Sequence, residues 1–93
     1  MQLPVNYEEC PIAMRKEVRN EYIKLQKGVC LFCNEPLNSE PSELVRSKWI
    51  NKKLFPKNFF KYPIHLHHNH DTGMTIGAIH CVCNAILWQY HGK

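Results

Sequence analysis

Ile64-His65-Leu66-His67-His68-Asn69-His70-Asp71-Thr72-Gly73, followed by His80-Cys81-Val82-Cys83-Asn84, is the stretch that decides how this chain folds. After Pro63, the alternation from Ile64 to His68 has the two-residue period of a strand. Asp71-Thr72-Gly73 is a turn signature, Thr75 to Ile79 a second short strand, and Asn84 to Tyr90 a helix closed by Gly92. The expected order is strand, turn, strand, knuckle, helix.

Upstream, Cys30-Leu31-Phe32-Cys33 places two thiolates where one turn can present both to a tetrahedral ion. His80 and Cys83 repeat that two-residue gap, whereas Cys81 and Cys83 are separated by one residue. The spacing therefore predicts a closed, structural zinc site of Cys30, Cys33, His80 and Cys83, with an all-cysteine set through Cys81 as the alternative. Cys10 is left over and reads as a half-buried small hydrophobe. Five cysteines at such spacings suit metal better than a disulfide framework. Residues 1–9 lack the basic start and apolar core of a signal peptide, and no apolar run reaches the length of a membrane span. A reducing cytoplasm is the expected location.

Charge divides the chain unevenly. Residues 1–43 hold seven acids and five bases, and residues 44–93 hold seven bases and one acid, Asp71. All six histidines lie in the second half. A basic, histidine-rich surface suits a polyanion such as DNA, and a lone carboxylate argues against a paired-carboxylate mechanism. Lys52, Lys53, Lys57 and Lys61 alternate with aromatic residues and are candidate phosphate contacts, the aromatics being expected to complete a thin core. His91 lies seven residues beyond Asn84, roughly 10 Å along a helix, within reach of a backbone phosphate but not of a shared ion.

Ahead of the first knuckle, Ala13 to Lys27 reads as an amphipathic helix with Met14, Val18, Tyr22 and Leu25 inward and a left-handed cap at Gly28. Ser39 to Glu43 looks like the start of a second helix reaching about Lys52, with Leu44, Val45 and Trp49 facing the core. The 93 residues form one small α+β domain stabilised by zinc, with a helical part over 13–53 and a strand-strand-helix unit over 63–91.

The histidine run needs its own explanation once the zinc is satisfied. His65 and His67 share a strand face, while alternation turns His68 away, so a common site requires the strand to end or bend between 67 and 68. With the CxxC knuckle, these histidines, Thr72-Gly73 and Cys83-Asn84, the chain resembles the ββα-metal (HNH) nuclease motif of phage recombination endonuclease VII relatives over about residues 13–91. The resemblance implies that His68 is the general base and that His67 and Asn84 ligate a catalytic divalent metal. It also implies that His65 and His70 support the phosphate, the metal or the base. A phage protein of this kind would act on DNA in the host-cell cytoplasm, as a monomer or weak dimer without membrane or organic cofactor.

Departures from the family sharpen the expectation. His67 stands where many relatives have Asp, making the ion site neutral and softer, so Mn²⁺, Co²⁺ or Ni²⁺ should serve better than Mg²⁺. Ile76 stands where many carry Arg, and no long dimerising segment follows, so junction resolution is not expected. Asp-Thr-Gly also occurs at aspartic-protease centres, but after His-Asn-His it reads as a turn with an Asx-type hydrogen bond. The rival function is a noncatalytic zinc-finger module that binds nucleic acid, and a third is an adaptor whose finger binds protein.

Overall fold

The computed structural model describes residues 2–92. In chain order it contains α1 (Ile12–Leu25), α2 (Glu43–Arg46), a 3₁₀ turn at Lys52–Leu54, β1 (Ile64–His68), β2 (Thr75–His80) and α3 (Cys81–His91). The two strands form an antiparallel pair, with α1 and α3 both packed against it. The result is a small α+β fold. No described helix is long and apolar enough to cross a membrane.

Only the middle of α1 rests on the sheet. Val18 and Tyr22 are buried, whereas Met14 and Leu25, on the same expected stripe, are exposed. The Tyr22 hydroxyl is tied to Thr75 at the start of β2, 2.8 Å from its Oγ1, so burial of the ring leaves no phenol unsatisfied. The helix ends through Lys27 and Gly28, both left-handed, and the Gly28 N–H returns to the Ile23 carbonyl at 2.8 Å. Gln26 then acts as a side-chain substitute for a third strand. Its amide donates to the Ala78 carbonyl and accepts from the Ala78 N–H, at 2.9 and 2.8 Å. A Cβ on Gly77 would lie 2.6 Å from that Gln26 oxygen, which is why the adjoining position is glycine.

The second helix is much shorter than its sequence suggests. Ser42 caps it by accepting from the Val45 N–H, but Ser47 takes the Leu44 carbonyl at 2.9 Å and the chain leaves the helix there. The Trp49 carbonyl then accepts from the Tyr90 hydroxyl and the Gln89 amide, while the Asn51 N–H donates to Gln89. This docking onto α3 is made by backbone, so Trp49 and Leu44 stay exposed at 70% and 76%, and Val45 alone of the three turns inward.

β1 begins at Ile64, as its alternation requires, and pairs with β2 from Ile64↔His80 to His68↔Thr75. The register slips between His67↔Gly77 and His68↔Thr75, leaving Ile76 as an extra residue in β2. The turn between the strands is organised by Asn69, whose side chain accepts from the Asp71 and Thr72 N–H groups at 2.8 and 3.0 Å. The Asx acceptor is thus Asn69 rather than Asp71, and left-handed Gly73 completes the reversal. α3 begins at Cys81, three residues before the expected Asn84, and ends on left-handed Gly92. The N-terminal segment is also ordered on this turn. The Thr75 N–H donates to the Val5 carbonyl at 2.9 Å and the Tyr7 N–H to the Gly73 carbonyl at 2.7 Å.

Candidate metal centre and the adjoining histidine cleft

Cys30, Cys33, His80 and Cys83 converge, with their donor atoms all within 4.8 Å of one another. His80 Nδ1 lies 3.4 Å from Cys33 Sγ and 3.7 Å from Cys83 Sγ. A tetrahedral zinc with bonds of about 2.0–2.3 Å separates its ligand atoms by about 3.5–3.8 Å, so the group could hold that ion. Cys81 is buried but stands outside the group. The backbone explains the choice: His80 is the last residue of β2, and the first helical turn returns Cys83 to the same side.

The surroundings suit metal ligands. His80 Nε2 donates to the Pro36 carbonyl at 2.9 Å, which leaves Nδ1 free of its proton and aimed at the thiols. The Phe32 and His80 N–H groups point at Cys30 Sγ at 3.4 and 3.5 Å. Cys30 is held down to about 4, chiefly by the hydrogen bond from the Cys83 thiol, and the same pairing together with burial pushes Cys83 up. One thiolate is therefore comfortable without a cation. Three thiolates packed together, two of them buried, would require one.

Beside this centre, facing the other way from the β2–α3 junction, a cleft of about 530 Å³ opens between α1, β1 and α3. His65, His67, His68, His70 and Asn84 all line it. Strict alternation would separate His67 from His68, yet both line the cleft, at the point where the register slips and β1 ends. The histidine spacing pointed to this site; the bulge that completes it had no sequence signal.

Within the cleft the hydrogen bonds run in one direction. His65 Nε2 lies 2.8 Å from the Phe59 carbonyl, which can only accept, so that nitrogen carries the proton. His65 Nδ1 must then accept, and the Asn84 amide nitrogen donates to it at 3.2 Å. Burial is the main reason His65 holds its proton less readily than a free imidazole, which keeps it neutral. The relay orients the Asn84 amide and leaves its Oδ1 buried, with no hydrogen-bond partner. An unsatisfied buried acceptor on a residue that lines a cleft of imidazoles fits a cation, because oxygen and neutral nitrogen donors suit divalent metals.

His68 is positioned by rings. Tyr7 stacks on it at 3.9 Å with planes 6° apart, and the Arg15 guanidinium lies 4.0 Å above the same Tyr7 ring. His70 packs against His68 at 4.7 Å and against Trp88 at 4.9 Å. Burial first, then the charge of His70, depresses the proton affinity of His68; Glu8 opposes and Arg15 assists. A neutral imidazole in a half-buried cleft can accept a proton near neutral pH.

The remaining expectations fall outside the cleft. Lys52, Lys53, Lys57 and Lys61 are exposed and none lines it; Phe55, Phe59 and Phe60 pack on one another beneath them. His91 is exposed at the end of α3. Conversely, Tyr7, Arg15, Lys16 and Arg19 line the cleft although their pattern gave no reason to choose them. Arg15 and Lys16 looked like the solvated side of an amphipathic helix, and only the packing of α1 beside β1 brings them to the histidines. No family model, curated protein or solved structure matches this chain.

Proposed function

We propose that the chain is a metal-dependent DNA endonuclease built on a ββα-metal finger of the HNH, endonuclease VII-like kind. The observation that carries the reading is the buried, partnerless Asn84 Oδ1 in a cleft shared with His67 and His68. A noncatalytic zinc finger has no use for an oriented, unsatisfied carbonyl beside two imidazoles. Asn84 and His67 would hold a divalent cation, which would offset negative charge on a phosphate and its leaving group. Neutral His68, fixed face-on by Tyr7, takes the proton of the attacking water. His65 holds Asn84 in the required rotamer through the relay from Phe59. Zinc held by Cys30, Cys33, His80 and Cys83 would tie the 30–33 knuckle to the β2–α3 junction, next to Asn84.

The test is plasmid relaxation by protein loaded with stoichiometric zinc, with and without added Mn²⁺. Supercoiled DNA should be nicked only with Mn²⁺, and His68→Ala should slow nicking about 10²- to 10⁴-fold while retaining DNA binding, the range for loss of a general base. Wild-type protein that binds DNA but leaves it intact with Mn²⁺, Co²⁺, Ni²⁺ and Mg²⁺ would instead be a noncatalytic zinc-dependent module.

A further inference from the structure

The nuclease reading does not say how the DNA backbone approaches the cleft. Two basic regions compete: the 52–61 segment and the face of α1 formed by Arg15, Lys16 and Arg19. In a helix of about 100° per residue these three fall within about 100° of arc, and Glu17 and Glu21 fall on the far side. All three line the cleft beside the histidines. None is paired with a carboxylate; among the described residues the ion pair is Arg46–Glu40, elsewhere on the surface. Arg15 is partly committed, since one terminal N–H group donates to the Tyr7 carbonyl at 3.1 Å, but its Nε has no acceptor. Lys16 is exposed and Arg19 half-buried, with neither side chain held by a hydrogen bond to the protein.

The competing lysines are differently placed. Lys52 and Lys61 lie over the Phe60 and Tyr62 rings, each at 5.7 Å, and no lysine of that segment lines the cleft. Charge left uncompensated beside a proposed phosphate site is charge arranged for an anion, and a line of cations along one helix suits a repeating one.

We propose that Arg15, Lys16 and Arg19 form the wall along which the DNA phosphodiester backbone enters, holding the phosphates adjoining the one to be cut. The proposal rests on the nuclease reading only for the identity of the cleft as the cutting site. Contacts from this wall to phosphates would position the duplex without reading its sequence.

The experiment measures binding, not cutting, in the zinc-loaded His68→Ala background. The double variant Lys16→Glu/Arg19→Glu should bind a DNA duplex at least about tenfold more weakly at low salt. Its plot of log affinity against log salt should flatten by about 1.8, at about 0.9 for each phosphate no longer neutralised. Lys57→Glu/Lys61→Glu serves as the comparison and should weaken less on both measures. Arg15 is left intact because it supports the Tyr7 stack. A second measurement covers misfolding of the reversal variant: acylation of lysines in the unaltered sequence, where DNA should protect Lys16 more than Lys57 or Lys61. Equal weakening in the two double variants, an unchanged salt slope, or Lys16 modified as fast with DNA as without it would overturn the proposal. Protein that uses this wall but never cuts refutes the nuclease reading alone. Protein that cuts yet binds equally well after reversal at 16 and 19 refutes the wall alone.

Discussion

Cys83 and Asn84 are consecutive residues that belong to opposite kinds of site. Cys83 is fully buried in a group whose members face one another, with His80 already anchored to Pro36. Asn84, about 100° further round the helix, faces an open cleft and keeps one acceptor unused. The closed group has no position for a fifth molecule, whereas the cleft has room for an anion the size of a phosphate ester. The contrast teaches that one helix start can serve two different sites, because its turn sends adjacent side chains to different environments.

The largest effect that could break this comparison is removal of the closed group. Cys83→Ala, or exhaustive chelation, should abolish the cooperative thermal transition, because a domain of this size would depend heavily on a zinc cross-link. Far-ultraviolet circular dichroism with metal analysis would report it. A melting point lowered by only a few degrees would show that the cysteines are not the clamp, and the two sites would lose their division of labour.

A smaller change sharpens the open side. His67→Asp adds a negative, harder ligand, so activity with Mg²⁺ should rise relative to Mn²⁺ while the zinc content stays the same. Nicking rates in each ion, measured on the same preparation, give the ratio. No change in that ratio would remove His67 from the cation site.

The smallest expected effect is on pH. In the proposed reaction His68 is the neutral base, and its proton affinity lies below the ordinary value of 6.5 because of burial and then His70. Activity should therefore hold through neutral pH and fall as pH drops below that ordinary value, when the ring becomes protonated. Glu8 raises the proton affinity, so Glu8→Gln should move the falling limb to lower pH; rate-against-pH profiles of the two proteins decide it. A limb moving to higher pH would show that another group controls the rate.

These sites were legible to different degrees for physical reasons. Ligands to the closed group sit at short, repeated spacings because one turn must present two donors, so Cys30, Cys33 and Cys83 could be read directly. His80 over Cys81 followed from the same two-residue gap. The β1 boundaries were legible from their alternation. The length of α2 was not, because Ser47 and the docking of Trp49 onto Gln89 and Tyr90 ended a helix that local pattern would have continued. Tyr7 gave no signal either, since it reaches His68 only through the pairing of the N-terminal segment with the strand turn.

From the order of residues alone came the two half-sites, the strand-strand-helix arrangement and the candidacy of His67, His68 and Asn84, because each depends on spacing within a few residues. Tertiary structure alone decided that Ile76 would be extra in β2, that His65 would turn Asn84 through its amide, and that the basic face of α1 would overlook the cleft. Those features join separate elements, the most distant being α1 and β1, and no local periodicity records which surfaces will meet when the core closes.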